Sequence, residues 1–115
     1  MQNKHVVVRD IDSLSPQFTS HGIGEKLVLL ANNETQTNVT QIAITRLSNG
    51  DKVETHVHQT MDEHYIFLEG EGLISVGQEV IKCKPGRFVL VPAGLRHNLQ
   101  AVINMRFITI GVATT

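Results

Sequence analysis

The sequence predicts an all-β domain, and three observations carry that expectation. Short segments rich in Val, Ile, Thr and Phe recur at close spacing, Gly, Pro or Asn stands between them, and no stretch sustains a helical period. With 115 residues, 41% of them hydrophobic and 18% charged, the chain fits a single domain over 1–115 and leaves little room for a second. Such a pattern folds as a sandwich or a barrel.

The first expected strand, Val6 to Arg9, is a three-valine run leading into the loop-rich DSLSPQFTSHGIG at 12–24, so 1–24 reads as an N-terminal strand and loop arm. Strands Glu25 to Leu30 and Val39 to Leu47 follow. Asn49-Gly50 supplies the positive φ angles of a tight type I′ hairpin into Lys52 to His58. Counting outward from that turn pairs Ala43 with His56, Gln41 with His58 and Thr45 with Glu54 on one sheet face, and leaves Ile42, Ile44, Thr55 and Val57 on the other. The polar face then looks inward and the apolar face outward, where it needs cover from the N-terminal arm or from a second copy of the chain. His64 to Glu69 and Leu73 to Val76 come next, divided by Gly70 and Gly72, which read as turn glycines. Gly77-Gln78 suits a type II′ hairpin into Glu79 to Cys83. Arg87 to Val91, His97 to Ala101 and Met105 to Val112 complete the set. Cys83 is the one cysteine, and its place in the alternating EVIKCK makes it a small strand hydrophobe rather than a nucleophile.

Charge narrows the partners. Ten Lys+Arg against eleven Asp+Glu give a formal net charge of -1, so no positive field draws a phosphate backbone or an anionic membrane surface. Apolar runs stop far short of the roughly 20 residues that cross a bilayer, and the N-terminus has no apolar core of a secretory signal. The expectation is a cytoplasmic protein that binds neither nucleic acid nor membrane.

The chemistry concentrates in 50–101. His56 and His58 stand two apart, which on a strand points both to one side, and Glu63 follows five residues later across a short loop. Two imidazoles and a carboxylate with positions left open suit a catalytic transition-metal site better than a closed structural one. A third imidazole, His97, follows the turn after Pro92 and Gly94. Tyr65 and Phe67 share the strand parity of Glu63 and line the cavity with Gln41, Ala43 and Thr45. His64 has the opposite parity and is not a ligand; His5 and His21 lie outside the pattern, and solvent is their default.

These residues resemble the two motifs of the cupin family. Gly50, His56, His58, Glu63 and Gly70 match the first motif at every position; Gly86, Pro92, Gly94 and His97 match the second, whose closing Asn is here Ala101. The resemblance implies a double-stranded β-helix, or jelly-roll barrel, closing around a cavity. It implies that His56, His58, Glu63 and His97 ligate one divalent metal, typically Fe, Mn, Ni, Cu or Zn. Ala101 replaces no ligand. The expected function is that of a metal-binding protein taking a small polar molecule such as a sugar, uronate or keto acid, as an isomerase, lyase, decarboxylase or dioxygenase, with Tyr65 as the candidate catalytic side chain. A non-catalytic small-molecule binding module is the alternative. The apolar outer face, together with the habit of small cupins, points to a homodimer.

Overall fold

The computed structural model describes residues 5–114. Eight strands form: β1 (Gln17–Phe18), β2 (Glu25–Ala31), β3 (Val39–Leu47), β4 (Lys52–His56), β5 (Met61–Val76), β6 (Glu79–Cys83), β7 (Phe88–Val91) and β8 (His97–Ala113). Two short 3₁₀ turns, Ile11–Ser13 and Asn32–Glu34, are the helical segments among the described residues.

Two long strands organise everything else. β5 and β8 pair antiparallel from Met61↔Ala113 through Phe67↔Phe107 and, beyond a bend, from Gly72↔Ala101 to Val76↔His97. Each half recruits its own neighbours. The first half of β5 and the second half of β8 carry β7 on one side and β3, β2 and β1 on the other. The remaining halves carry β6 and β4. The result is the jelly roll that the sequence predicts: two antiparallel layers joined by two bent strands. The bend occurs where the register slips between Phe67 and Gly72. Gly70 sits there with φ +82°, and a Cβ on it would overlap the carbonyl of Asn104, so only glycine lets the strands cross so closely.

Three expectations need correction. Val6 to Arg9 is not a strand; these residues are exposed, and the arm pairs with β2 through Gln17 and Phe18 instead. Residues 1–4 of the expected arm lie outside the described residues. Second, the segments expected as His64 to Glu69 and Leu73 to Val76 are one strand, as are His97 to Ala101 and Met105 to Val112. The glycines bend the chain without ending it, because β8 continues to satisfy the backbone of β5 on both sides of the bend. Third, Asn49-Gly50 does not make a type I′ hairpin. Gly50 takes φ +89° while Asn49 stays negative, and the turn closes through Asp51 N–H to Ser48 O at 2.9 Å. One positive φ turns the chain from one layer to the other, and β3 and β4 each pair with β8 rather than with each other. Gln41, Ala43 and Thr45 therefore face Gly111, Thr109 and Phe107 across the ladder, not His58, His56 and Glu54.

The core fills the end of the barrel near the bend. Phe67, Ile74, Met105, Val91 and Cys83 are its largest fully buried side chains, and burial pushes the Cys83 thiol up to about 12, so it stays protonated. Ala101 belongs to this core, 1% exposed. Its backbone exchanges hydrogen bonds with the 48–51 turn, donating to Asp51 O and accepting from Gly50 N, while the Asn49 amide donates to Asn104 Oδ1 at 2.7 Å. The turn is thus fastened without an Asn at 101.

Candidate metal centre

At the opposite end the interior is hollow and polar. His56 closes β4 and pairs directly with His97, the first residue of β8. Glu63 lies on β5, two residues into the strand. His58 is not on a strand, contrary to the expected Lys52 to His58: a register slip between Val53 and His56 peels the chain away from β8, and the His58 carbonyl accepts the Gly94 amide at 2.8 Å. The imidazoles converge all the same, with ring centres 4.1 Å apart for His56 and His97 and 5.0 Å for His56 and His58. One ligand atom from each of His56, His58, Glu63 and His97 lies within 4.8 Å of all the others. Donors bound at about 2.1 Å to one ion stand about 3.0 to 3.4 Å apart at neighbouring positions, so the set closes on an ion with side-chain shifts of about 1 Å.

Hydrogen bonds orient the rings. His56 Nδ1 is 2.9 Å from Glu54 O, and His97 Nδ1 is 3.0 Å from Leu95 O. Each Nδ1–H donates to its carbonyl, which leaves Nε2 with a free lone pair. In His97 that lone pair has no outlet. The ring is 2% exposed, and Nε2 has no hydrogen-bond partner, the Glu63 carboxylate standing 3.5 Å away. A buried nitrogen without a hydrogen bond, beside two more imidazoles and a carboxylate, has the donor chemistry that suits a divalent ion. The loop that delivers His97 is tied down at both ends: the Ala93 amide donates to Asp62 Oδ1 and the Gly77 amide to Arg96 O.

The Tyr65 hydroxyl donates to Glu63 Oε1, and burial together with the neighbouring carboxylate holds the phenol well above its ordinary pKa. Burial pushes the Glu63 carboxyl up, but His97 and Tyr65 beside it outweigh that, and the net shift is downward. Burial lowers His56, whereas His97 ends up raised because Glu63 and the Leu95 carbonyl favour its charged form over the cost of burial.

Two lobes of the cavity, of about 100 and about 240 Å³, share His21, Gln41, Glu63 and Thr109 in their walls. Gln41 and Thr45 line it, as expected from parity. Ala43 and Phe67, each 1% exposed, do not; both are closed off beneath the lining. His64 turns to the outer face, where Nδ1 meets Ile110 O at 2.9 Å. Two lining residues escape the sequence. His21, exposed to solvent as expected, nevertheless comes from the loop before β2 to place its ring 4.2 Å from that of His56, lining both lobes. Lys26 enters from β2 opposite Thr45. Neither belongs to a motif, and only the β2–β3 pairing brings them to the site.

Residues 43–111 match the cupin domain family. The chain belongs to that family. A 56-residue stretch is 32% identical to an uncharacterised protein of Methanocaldococcus jannaschii, covering 49% of this chain and 45% of that protein, so the chain spans about half the length of its curated relative. Among solved structures, a predicted oxalate decarboxylase of Thermotoga maritima superposes with a TM-score of 0.85 at 21% identity, over 92% of this chain and 98% of that one. Ectoine synthase of P. lautus superposes with a TM-score of 0.82 at 18% identity, over 96% and 80%. At such identities the cupin likeness is one of fold. Among the described residues, no helix is long and apolar enough to cross a membrane.

Proposed function

We propose that this cupin holds one divalent transition ion on His56, His58, His97 and Glu63 and handles a small polar molecule beside it, as a metal-dependent enzyme. The buried Nε2 of His97 carries the reading, since it makes no hydrogen bond and faces the Glu63 carboxylate only at 3.5 Å, a gap that an ion shared by the two would fill. When bound, the ion acts as a Lewis acid on a carbonyl, enediol or similar oxygen, or as an O2 site. The chain's own groups do the rest. The backbone carbonyls of Glu54 and Leu95 hold two imidazoles in the ligating tautomer. The Tyr65 hydroxyl holds Glu63 in place, a positioning role that takes precedence over the catalytic role expected from sequence, because its only proton is already committed to the carboxylate. Gln41, Thr45 and Thr109 line the cavity with neutral polar groups suited to a sugar, uronate or keto acid. The test is metal analysis of protein purified without an affinity tag. About one ion per wild-type chain, and none in His58→Ala, is the expected result; a fully occupied variant would sink the assignment.

One observation favours the alternative, a binding module without turnover: Tyr65 and Glu63 are bonded to each other, so neither is poised to move a proton. A substrate screen of keto sugars, uronates and small diketones with the metal-loaded protein separates the two.

We also propose a homodimer. On the outer face of the larger layer, ladder partners line up across five strands: Leu27, Ile44, Ile108, Ile66 and Phe88 form one row, and Leu30, Ile42, Ile110, His64 and Leu90 the next. Phe88 is 57% exposed and Leu90 43%. The expected apolar face is therefore larger than Ile42, Ile44 and Val57, and Val57 lies in a loop outside it. The arm covers one corner, where Ile11 and Pro16 line a small cavity together with Leu27 and Ile44. A second copy related by a two-fold axis presents the same rows and covers the remainder. Light scattering at micromolar concentration should give twice the chain mass, and a monomer would refute the pairing.

A further inference from the structure

Lys26 is a cation inside the cavity without an anion to match it. It stands on β2 opposite Thr45, half-buried, and lines the smaller lobe with His56, Glu63, Gln41 and Thr45. Its ammonium donates to Gln41 Oε1 at 3.2 Å, and no carboxylate lies within ion-pair distance among the described residues. The one acidic side chain of the lining, Glu63, is occupied by Tyr65 and flanked by His58 and His97. An ammonium drawn into a cavity gives up hydration, and a neutral amide oxygen returns only part of it.

The Lys26–Gln41 bond has a second effect. Lysine offers donors only, so the amide must turn its oxygen toward it, which leaves the Gln41 NH2 as the donating end of a side chain that lines both lobes. Lys26 and Gln41 then present two donors and one positive charge from the same wall. With a divalent ion on three imidazoles and one carboxylate, the far wall carries a net charge of about +1 as well.

We propose that Lys26 and Gln41 form an anion subsite, and that the molecule this cavity takes is a small carboxylic acid whose carboxylate meets Lys26 while its other end faces the His56–Glu63 side. One ammonium balances one carboxylate, whereas a phosphate group carries about two charges at neutral pH and calls for more donors. The far end of that ligand rests on the metal reading above; the place of Lys26 in the cavity does not.

The test titrates isotope-labelled protein, zinc-loaded and metal-free, with succinate, and follows the Gln41 side-chain amide and the Thr45 backbone amide by NMR. Neutral succinamide and inorganic phosphate are the comparison ligands. Succinate should shift both signals with a Kd below about 10 mM and bind about tenfold more tightly than succinamide. Lys26→Met, similar in length, should lose about tenfold in succinate affinity while keeping its amide spectrum and its metal content, and Lys26→Arg should retain most of it. The subsite is overturned if Lys26→Met binds succinate as wild type does, if succinate and succinamide bind alike, or if succinate leaves both signals unmoved. Tighter binding of phosphate than of succinate overturns the carboxylate assignment. Failure of the wild type to take up zinc counts against the metal reading alone, because the Lys26 comparison is then read in the metal-free protein.

Discussion

The two ends of the barrel interior are built on the same strands and behave as opposites. Near the bend, β5 and β8 contribute Phe67, Ile74, Met105 and Ala101, and the space between the layers is filled. Toward the other end the same two strands contribute Glu63, His97 and Thr109, and the space is left open and polar. Inward parity therefore tells which residues look into a barrel, not whether they meet packing or a cavity. The closed end supplies stability, and the open end spends some of it on unpaired polar groups.

Three experiments sharpen that contrast. Phe67→Ala at the closed end should cost about 3–5 kcal/mol in denaturant unfolding, whereas His58→Ala at the open end, where the ring is 30% exposed, should change the stability of the metal-free protein by no more than about 0.5 kcal/mol. Equal costs would erase the division of labour. Tyr65→Phe lies on the border between the two ends. It keeps the packing against Phe67 and Phe107 and loses only the bond to Glu63, so metal affinity should fall about 10- to 100-fold in competition with a chelator, with little change in the fold. An unchanged affinity would return the hydroxyl to a purely structural role.

The smallest effect is that of pH. Ligation requires neutral imidazole, and His97 has its pKa raised above 6.5, so protons should begin to compete with the ion above pH 6.5; His56, lowered by burial, joins only below it. Metal affinity should fall progressively with acidification, measured by chelator competition across pH 5 to 8. In the metal-free protein the sign reverses for His97. Its raised pKa makes the pairing with Glu63 stabilising below pH 6.5, and that contribution disappears as pH rises through the raised value.

The cluster of His56, His58, Glu63 and His97 was legible in the sequence because it rests on local spacing: the four sit next to turns whose Gly and Pro fix where the chain reverses. Gln41 and Thr45 followed from parity, although the pairing invoked for them was wrong; alternation survives an error of partner as long as the face is right. What failed depends on distant pairing. Whether Gly70 ends a strand or bends it is decided by β8, some thirty residues away in the chain, at its contact with Asn104. His21 and Lys26 reach the cavity only because β2 adds to β3 in one register out of several that its apolar run allows. The Val6 to Arg9 run reads as a strand by composition, yet no edge of the sheet takes it up.

The placement of His58 outside any strand bears on how fast a bound ion is exchanged. Glu63 and His97 belong to the two strands that run through both layers, and ladder pairing holds the backbone at both positions. His58 is held through its carbonyl to the Gly94 amide and can swing away while the ladders stay intact. On the proposed metal reading, dissociation should start at His58 and follow local opening of the 57–60 loop rather than global unfolding, so an ion should be replaceable within the lifetime of one folded molecule.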